Sequence, residues 1–275
     1  MKHNLTMTQN ASKTASFLIF TDLDGSLLEH ETYSIEPAQP ALAALARRGV
    51  TPIFASSKTA VEILAIQHVS GIAAPFIGEN GAAVYDSTGK VLTAFGLPRE
   101  SWLNEVHQLR ERMSFKFNGF SDWSIKRIAE LTGLCQEDAD KARIRQFTEP
   151  MLWQDTQTNF QLFLKELQKL SLTTLEGGRF CSIQGHFDKS GGMKWWQAHC
   201  SESRPFLVAV GDSPNDMSLL AAADVAVIIK SDKSHKLNPV GPATVLRTRM
   251  PGPAGWNEGI EQVLNLLDSQ QLLIL

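Results

Sequence analysis

The sequence predicts an α/β fold, a parallel sheet with an inserted α+β domain, and three observations predict it. Continuous apolar runs, the mark of strands buried on both faces, alternate with stretches of helical periodicity. The runs stop at Asp or Ser. A long middle stretch carries no such run.

Phe17 to Phe20 is the first apolar run and ends at Asp22. A helix follows from Pro37 to Arg48: Pro37 suits a first turn, Leu42 and Leu45 share a face, and Gly49 can close it. Val50 to Ala55 is a second strand, ending at Ser56 and Ser57, and Thr59 to Val69 a second helix. Phe76 and Ile77 begin a third strand; Ala82 to Tyr85 and Lys90 to Leu92 form a hairpin around Ser87-Thr88-Gly89. From Gly96 to Gly185 the expected pieces are helices at Trp102 to Arg112, Ser124 to Leu131 and Asn159 to Leu170, with short strands at Thr173 to Leu175 and Phe180 to Ile183. The first pattern then resumes. Gly191 to His199 reads as helix, Phe206 to Val210 as a buried strand ending at Gly211-Asp212, and Pro214 to Ala222 as helix. Val225 to Ile229 is a strand, and Gly259 to Leu267 a terminal helix. The expected division is a polar, disordered tail over 1–16, a core over 17–95 and 186–275, and an inserted domain over 96–185.

Composition excludes several classes. With 275 residues, 43% of them apolar, 20% charged and a net charge of −3, the chain resembles an ordinary globular protein. It has no basic block for nucleic acid and no apolar stretch long enough for a bilayer. The three cysteines form no C-x-x-C pair, which fits a reducing cytoplasm. A monomer or weak dimer is expected.

The sharpest local signal is Asp22-Leu23-Asp24-Gly25-Ser26. Two carboxylates one residue apart at a strand end can converge on a cation; one can attack phosphorus and the other protonate a leaving oxygen. A strand-to-loop turn with an Asx bond reads the same way in isolation. Gly211-Asp212-Ser213-Pro214-Asn215-Asp216 supplies hard oxygen ligands suited to Mg²⁺, or an ordinary helix cap. Ser56 and Ser57, at a helix N-terminus, can hold a phosphoryl oxygen. Lys189, before Gly191-Gly192, can neutralise charge on a phosphoryl group.

The order acid pair, Ser, Lys, acid pair resembles the haloacid dehalogenase (HAD) superfamily of phosphohydrolases. The resemblance implies a Rossmann-like core with an α+β cap inserted between the second and third motifs. It also implies Asp22 as nucleophile, Asp24 as general acid/base, and Ser56 and Lys189 as phosphate ligands. Mg²⁺ would be held by Asp22, the Asp24 carbonyl and Asp212, with Asp216 beside it. Ser26 departs from the usual Thr.

Finer features are similar to mannosyl-3-phosphoglycerate phosphatases: Ser56-Ser57-Lys58-Thr59, Glu79-Asn80-Gly81, Arg145-Gln146-Phe147-Thr148-Glu149-Pro150 and Gly177-Gly178-Arg179-Phe180. That resemblance implies a small phosphorylated sugar as substrate. Arg145 or Arg179 would clamp its carboxylate, Glu79 or Glu149 would accept from sugar hydroxyls, and Asn80 would lie beside them. Gln146 departs from the family's acidic residue.

Overall fold

The structure is a computed structural model, and it describes residues 17–29, 32–177, 179–200 and 204–269. The tail expected over 1–16 lies outside them, as does Gly178. The elements are β1 (Phe17–Thr21), α1 (Gln39–Arg47), β2 (Ile53–Ala55), α2 (Ala60–Ser70), β3 (Phe76–Gly78), β4 (Ala83–Tyr85) and β5 (Val91–Ala94). There follow α3 (Leu103–Met113), β6 (Phe117–Gly119), α4 (Ile125–Thr132), α5 (Gln136–Arg143), β7 (Glu149–Trp153), α6 (Gln157–Lys169), β8 (Thr173–Glu176) and β9 (Cys181–Gln184). The last are α7 (Lys189–His199), β10 (Phe206–Gly211), α8 (Met217–Ala221), β11 (Val225–Lys230), β12 (Thr244–Pro251) and α9 (Gly252–Asp268).

The larger sheet has eight strands in the order β12-β11-β10-β1-β2-β3-β4-β5. It is parallel from β12 to β3 and closes with the antiparallel β4 and β5. The chain runs outward from β1 in both directions, so the strand order reverses between β1 and β10. In open α/β sheets that switch point, at the carboxyl ends of the strands, is where ligands bind. This is the α/β fold with a parallel-sheet core that the sequence predicts. A second, antiparallel sheet of order β6-β7-β9-β8 follows β5 in the chain and precedes α7. It packs with α3 and α6 around its own core of Trp102, Val106, Phe117, Met151, Phe163 and Ile183.

The central strands form because Ile19, Phe20, Val208, Ala209, Val210 and Val227 are wholly buried. Helix α9 covers one face: Trp256 is fully buried and its indole N–H donates to Thr21 Oγ1 at 2.9 Å. Helix α2 is fixed at its start by a capping box between Thr59 and Glu62 and at its end by Gly71 in the left-handed region.

Several elements differ from expectation. β6, β7, β12 and α5 carry no strong sequence signal. β12 lies at the sheet edge with Val245, Arg247 and Arg249 exposed, so it lacks a continuous apolar run. Helix α9 begins at Gly252, not near Gly259, with Pro253 in its first turn; Gly255 and Gly259 lie inside it, where Met250 and Val227 leave no room for a side chain. The helix expected from Pro214 opens as a 3-10 turn, Pro214–Asp216. No helix among the described residues is long and apolar enough to cross a membrane.

Candidate active site

The site is assembled where β1, β2 and β10 end. Asp22 follows β1, and its backbone N–H donates to the Val210 carbonyl of β10 at 2.9 Å. Buried Leu23, Leu27 and Leu28 pull the next turn into the core. Gly25, at φ 77°, makes the reversal and donates to the Leu28 carbonyl. Lys189 is the first residue of α7, capped by Asp188, whose carboxylate accepts from Ser190 N at 2.8 Å. A side chain at Gly81 would run into the Asp188 carbonyl, so the Glu79-Asn80-Gly81 turn seats this helix start against the sheet.

Three carboxylates and one ammonium meet there. Asp22, Asp212 and Asp216 are buried and each offers an oxygen within 4.8 Å of the others. Lys189 Nζ lies 2.6 Å from Asp22 Oδ1 and 2.6 Å from Asp216 Oδ1. The other oxygen of Asp216 accepts from the backbone N–H of Asp212 and of Ser213, both at 3.1 Å. Asp216 therefore also shapes the loop that presents Asp212. Burial, then the charge of Asp216, pushes the Asp22 carboxyl well above the usual carboxylate range, against the pull of Lys189. The same two causes raise Asp212 to about 7. Burial alone would lower the Lys189 ammonium; Asp216 and Asp22 outweigh it and push it up. Three carboxylates against one ammonium leave an excess of negative charge in a dry site. A divalent cation fits that donor set: its oxygens are hard and convergent, and its charge matches the excess. Asp24's side chain is not in this group; it points to Lys58, with Nζ to Oδ1 at 3.1 Å.

Ser56 follows β2 and is fully buried; its hydroxyl oxygen accepts from Lys58 N at 3.2 Å, and its carbonyl accepts from Asn80 N at 2.9 Å. Ser57 is half-buried beside it. Two polar atoms near these turns, Ser26 Oγ and Asn80 Oδ1, are buried without a hydrogen-bond partner among the described residues. Lys58 and Tyr33 are the residues that sequence reasoning missed. Lys58 is buried, 3.4 Å from the Tyr33 hydroxyl and 4.7 Å above its ring. Lys58 stands within the quoted Ser-Ser-Lys-Thr motif, which was the only available signal.

The residues expected to read the substrate are mostly occupied with the protein itself. The Glu79 carboxylate, expected to accept from sugar hydroxyls, instead accepts from the backbone N–H of Gln146, Phe147 and Thr148 at 2.7, 3.1 and 2.9 Å, and from Thr148 Oγ1 at 2.8 Å. It is fully buried, and its oxygens are taken up by these four donors. Glu149 is likewise turned inward, accepting from Arg99 Nη1 at 2.7 Å and Ser121 N at 2.7 Å. Arg145, expected as a carboxylate clamp, donates to Thr148 Oγ1 at 2.8 Å and to the Ser57 carbonyl at 2.6 Å. With Thr59 Oγ1 donating to the Lys141 carbonyl at 3.1 Å, these bonds tie residues 141–148 to the loop that carries Ser56. Arg179 is exposed and donates to the Thr132 carbonyl.

Known proteins share this fold. Residues 19–236 match the haloacid dehalogenase-like hydrolase family. The chain belongs to that family. Three solved structures share its fold. One is a phosphatase of the haloalkanoate enzyme superfamily from Bacteroides thetaiotaomicron, 18% identical, covering 97% of this chain and 99% of its own, with a TM-score of 0.66. A subclass IIB sugar phosphatase is 16% identical over 92% of this chain and 99% of its own, with a TM-score of 0.65. The sucrose-phosphatase of Synechocystis, solved with sucrose and phosphate, is 13% identical over 93% and 99%, with a TM-score of 0.62. At these identities the likeness is one of fold.

Proposed function

We propose that this family member is a Mg²⁺-dependent phosphomonoester hydrolase that passes the phosphoryl group through Asp22. The observation that carries the reading is the buried cluster of Asp22, Asp212 and Asp216 around Lys189 at the sheet's switch point. Asp22 is the nucleophile. One carboxylate oxygen forms the bond to phosphorus while the bond from phosphorus to the leaving oxygen breaks. The electron pair stays on that oxygen, which takes a proton from Asp24. Water then attacks the phosphoaspartate, Asp24 takes the water's proton, and Asp22 and phosphate are released. Lys189 holds Asp22 in line and neutralises charge that develops on the phosphoryl oxygens. Ser56 holds one of those oxygens, with Ser57 beside it. Asp22, Asp212 and the Asp24 carbonyl, with Asp216 adjacent, would hold Mg²⁺, which supplies positive charge for the phosphoryl group when bound.

The segment 96–185 serves as the cap that covers the site and excludes water. The substrate is a phosphorylated sugar, and the motif resemblance names mannosyl-3-phosphoglycerate, converted to mannosylglycerate and phosphate. A broader sugar-phosphate phosphatase or a phosphomutase is the second reading. The inward bonds of Arg145 favour it, since they occupy one of the two arginines expected to clamp a glycerate carboxylate.

Phosphate release with Mg²⁺ from mannosyl-3-phosphoglycerate, its glucosyl analogue, 3-phosphoglycerate, mannose 6-phosphate and trehalose 6-phosphate separates these readings. A kcat/KM about 100-fold higher for the first, a difference of about 2.7 kcal/mol, supports the specific substrate. A flat profile keeps the phosphatase and removes that substrate. Silence across the panel contradicts the phosphatase itself.

A further inference from the structure

Lys58 is a buried cation that the reaction above does not use. Its Nζ has Asp24 Oδ1 at 3.1 Å, the Tyr33 hydroxyl at 3.4 Å and Glu62 Oε1 at 4.0 Å. Its other contact is the Tyr33 ring, whose centroid lies 4.7 Å away, a cation–π distance. The sequence fixes these partners from two sides. Thr59 N donates to Glu62 Oε2 at 2.8 Å in the capping box of α2, which holds the backbone next to Lys58 and the carboxylate behind it. Tyr33 sits at φ 56°, a left-handed conformation that costs an L residue about 1–2 kcal/mol. Strain of this kind persists where the surroundings over-determine it and clusters at functional sites. Here the strained backbone carries the ring that faces Lys58.

Asp24 is the only one of these partners assigned a proton-transfer role. Its side chain is 26% exposed, while that of Lys58 is 10% exposed. A short carboxylate at a turn has free rotamers; one paired with a buried ammonium does not, because leaving that ammonium unpaired is costly.

Resting on the assignment of Asp24 as proton donor, we propose that Lys58, backed by Tyr33, is a positioning residue. It holds the Asp24 side chain in the orientation from which it serves the leaving oxygen. In that step Asp22 bonds to phosphorus, the leaving oxygen keeps the electron pair and takes the Asp24 proton, and Lys58 keeps all of its own. The consequence depends on the leaving group. An alkyl alkoxide needs the proton; a p-nitrophenolate leaves without it.

The test compares Lys58→Met, Lys58→Arg, Tyr33→Phe and Asp24→Asn on two substrates: p-nitrophenyl phosphate and whichever alkyl phosphate of the panel turns over fastest. For Lys58→Met, kcat on the alkyl phosphate should fall about 30-fold and on p-nitrophenyl phosphate less than about threefold, with KM within about twofold. Lys58→Arg should recover most of the loss. Tyr33→Phe should fall about threefold on the alkyl phosphate alone, a contrast that stands even where Lys58→Met folds poorly by circular dichroism and thermal melting. An equal loss on both substrates, or a loss confined to KM, overturns the role of Lys58 while a selective loss in Asp24→Asn leaves the Asp24 assignment standing. Full alkyl turnover by Asp24→Asn overturns both.

Discussion

Replacing Glu79 separates a structural carboxylate from a substrate contact. Glu79→Ala removes the acceptor of three backbone N–H groups and one hydroxyl, and leaves Arg145 Nε, 3.7 Å from Glu79 Oε2, without its counter-charge. Hydrogen bonds to a charged acceptor are worth about 1.5–3 kcal/mol each, but water entering the new cavity recovers much of that sum. Breaking a buried charged pair by deleting one partner costs about 3–5 kcal/mol, and that is the expected loss here. Glu79→Gln keeps the volume and one carbonyl oxygen, so it should cost roughly half, about 2 kcal/mol. Urea unfolding gives the energies, and hydrogen exchange reads the amides of Gln146, Phe147 and Thr148 directly. Those three should lose protection in Glu79→Ala, whereas KM, measured where the variant is folded, should change less than about threefold. A stability loss below about 1 kcal/mol together with a large rise in KM would refute this reasoning and return Glu79 to the substrate.

Two further predictions follow from the core and the metal centre. Trp256→Phe loses the bond to Thr21 Oγ1 and part of a fully buried ring, and should cost about 1–3 kcal/mol; Trp256→Ala should cost about 3–5 kcal/mol, both by urea titration. Mg²⁺ at about 100 times its Kd should stabilise the EDTA-treated protein by about 2.7 kcal/mol, read as a rise in Tm, and Asp212→Asn should abolish most of that rise. An equal rise in wild type and Asp212→Asn contradicts the assignment of Asp212.

How far the sequence reaches differs by element. β1, β2, β10 and β11 are legible because they are buried on both faces and their apolar runs are continuous. Asp22, Ser56, Lys189 and Asp212 are legible because each stands just past such a run or at a helix start. β12 is not: an edge strand shows its charged Arg247 and Arg249 to solvent and has no run to read. The partners of Glu79 are hidden for a different reason. The donors that make it a buried acceptor stand 67 to 69 residues later, beyond the reach of any local pattern. The pairing of Lys58 with Tyr33 spans 25 residues and depends on a left-handed backbone at Tyr33 that no local preference announces.

The most direct test of the central claim is a quench experiment on wild type and Asp22→Asn, each with Mg²⁺ and the fastest substrate of the panel. Acid-quenched protein is digested and the peptide bearing Asp22 is weighed by mass spectrometry. Wild type should release phosphate and carry a phosphoryl group on Asp22; Asp22→Asn should do neither. Sustained phosphate release by Asp22→Asn, or a phosphoryl group on another residue of a turning-over wild type, would contradict the assignment of Asp22 as nucleophile.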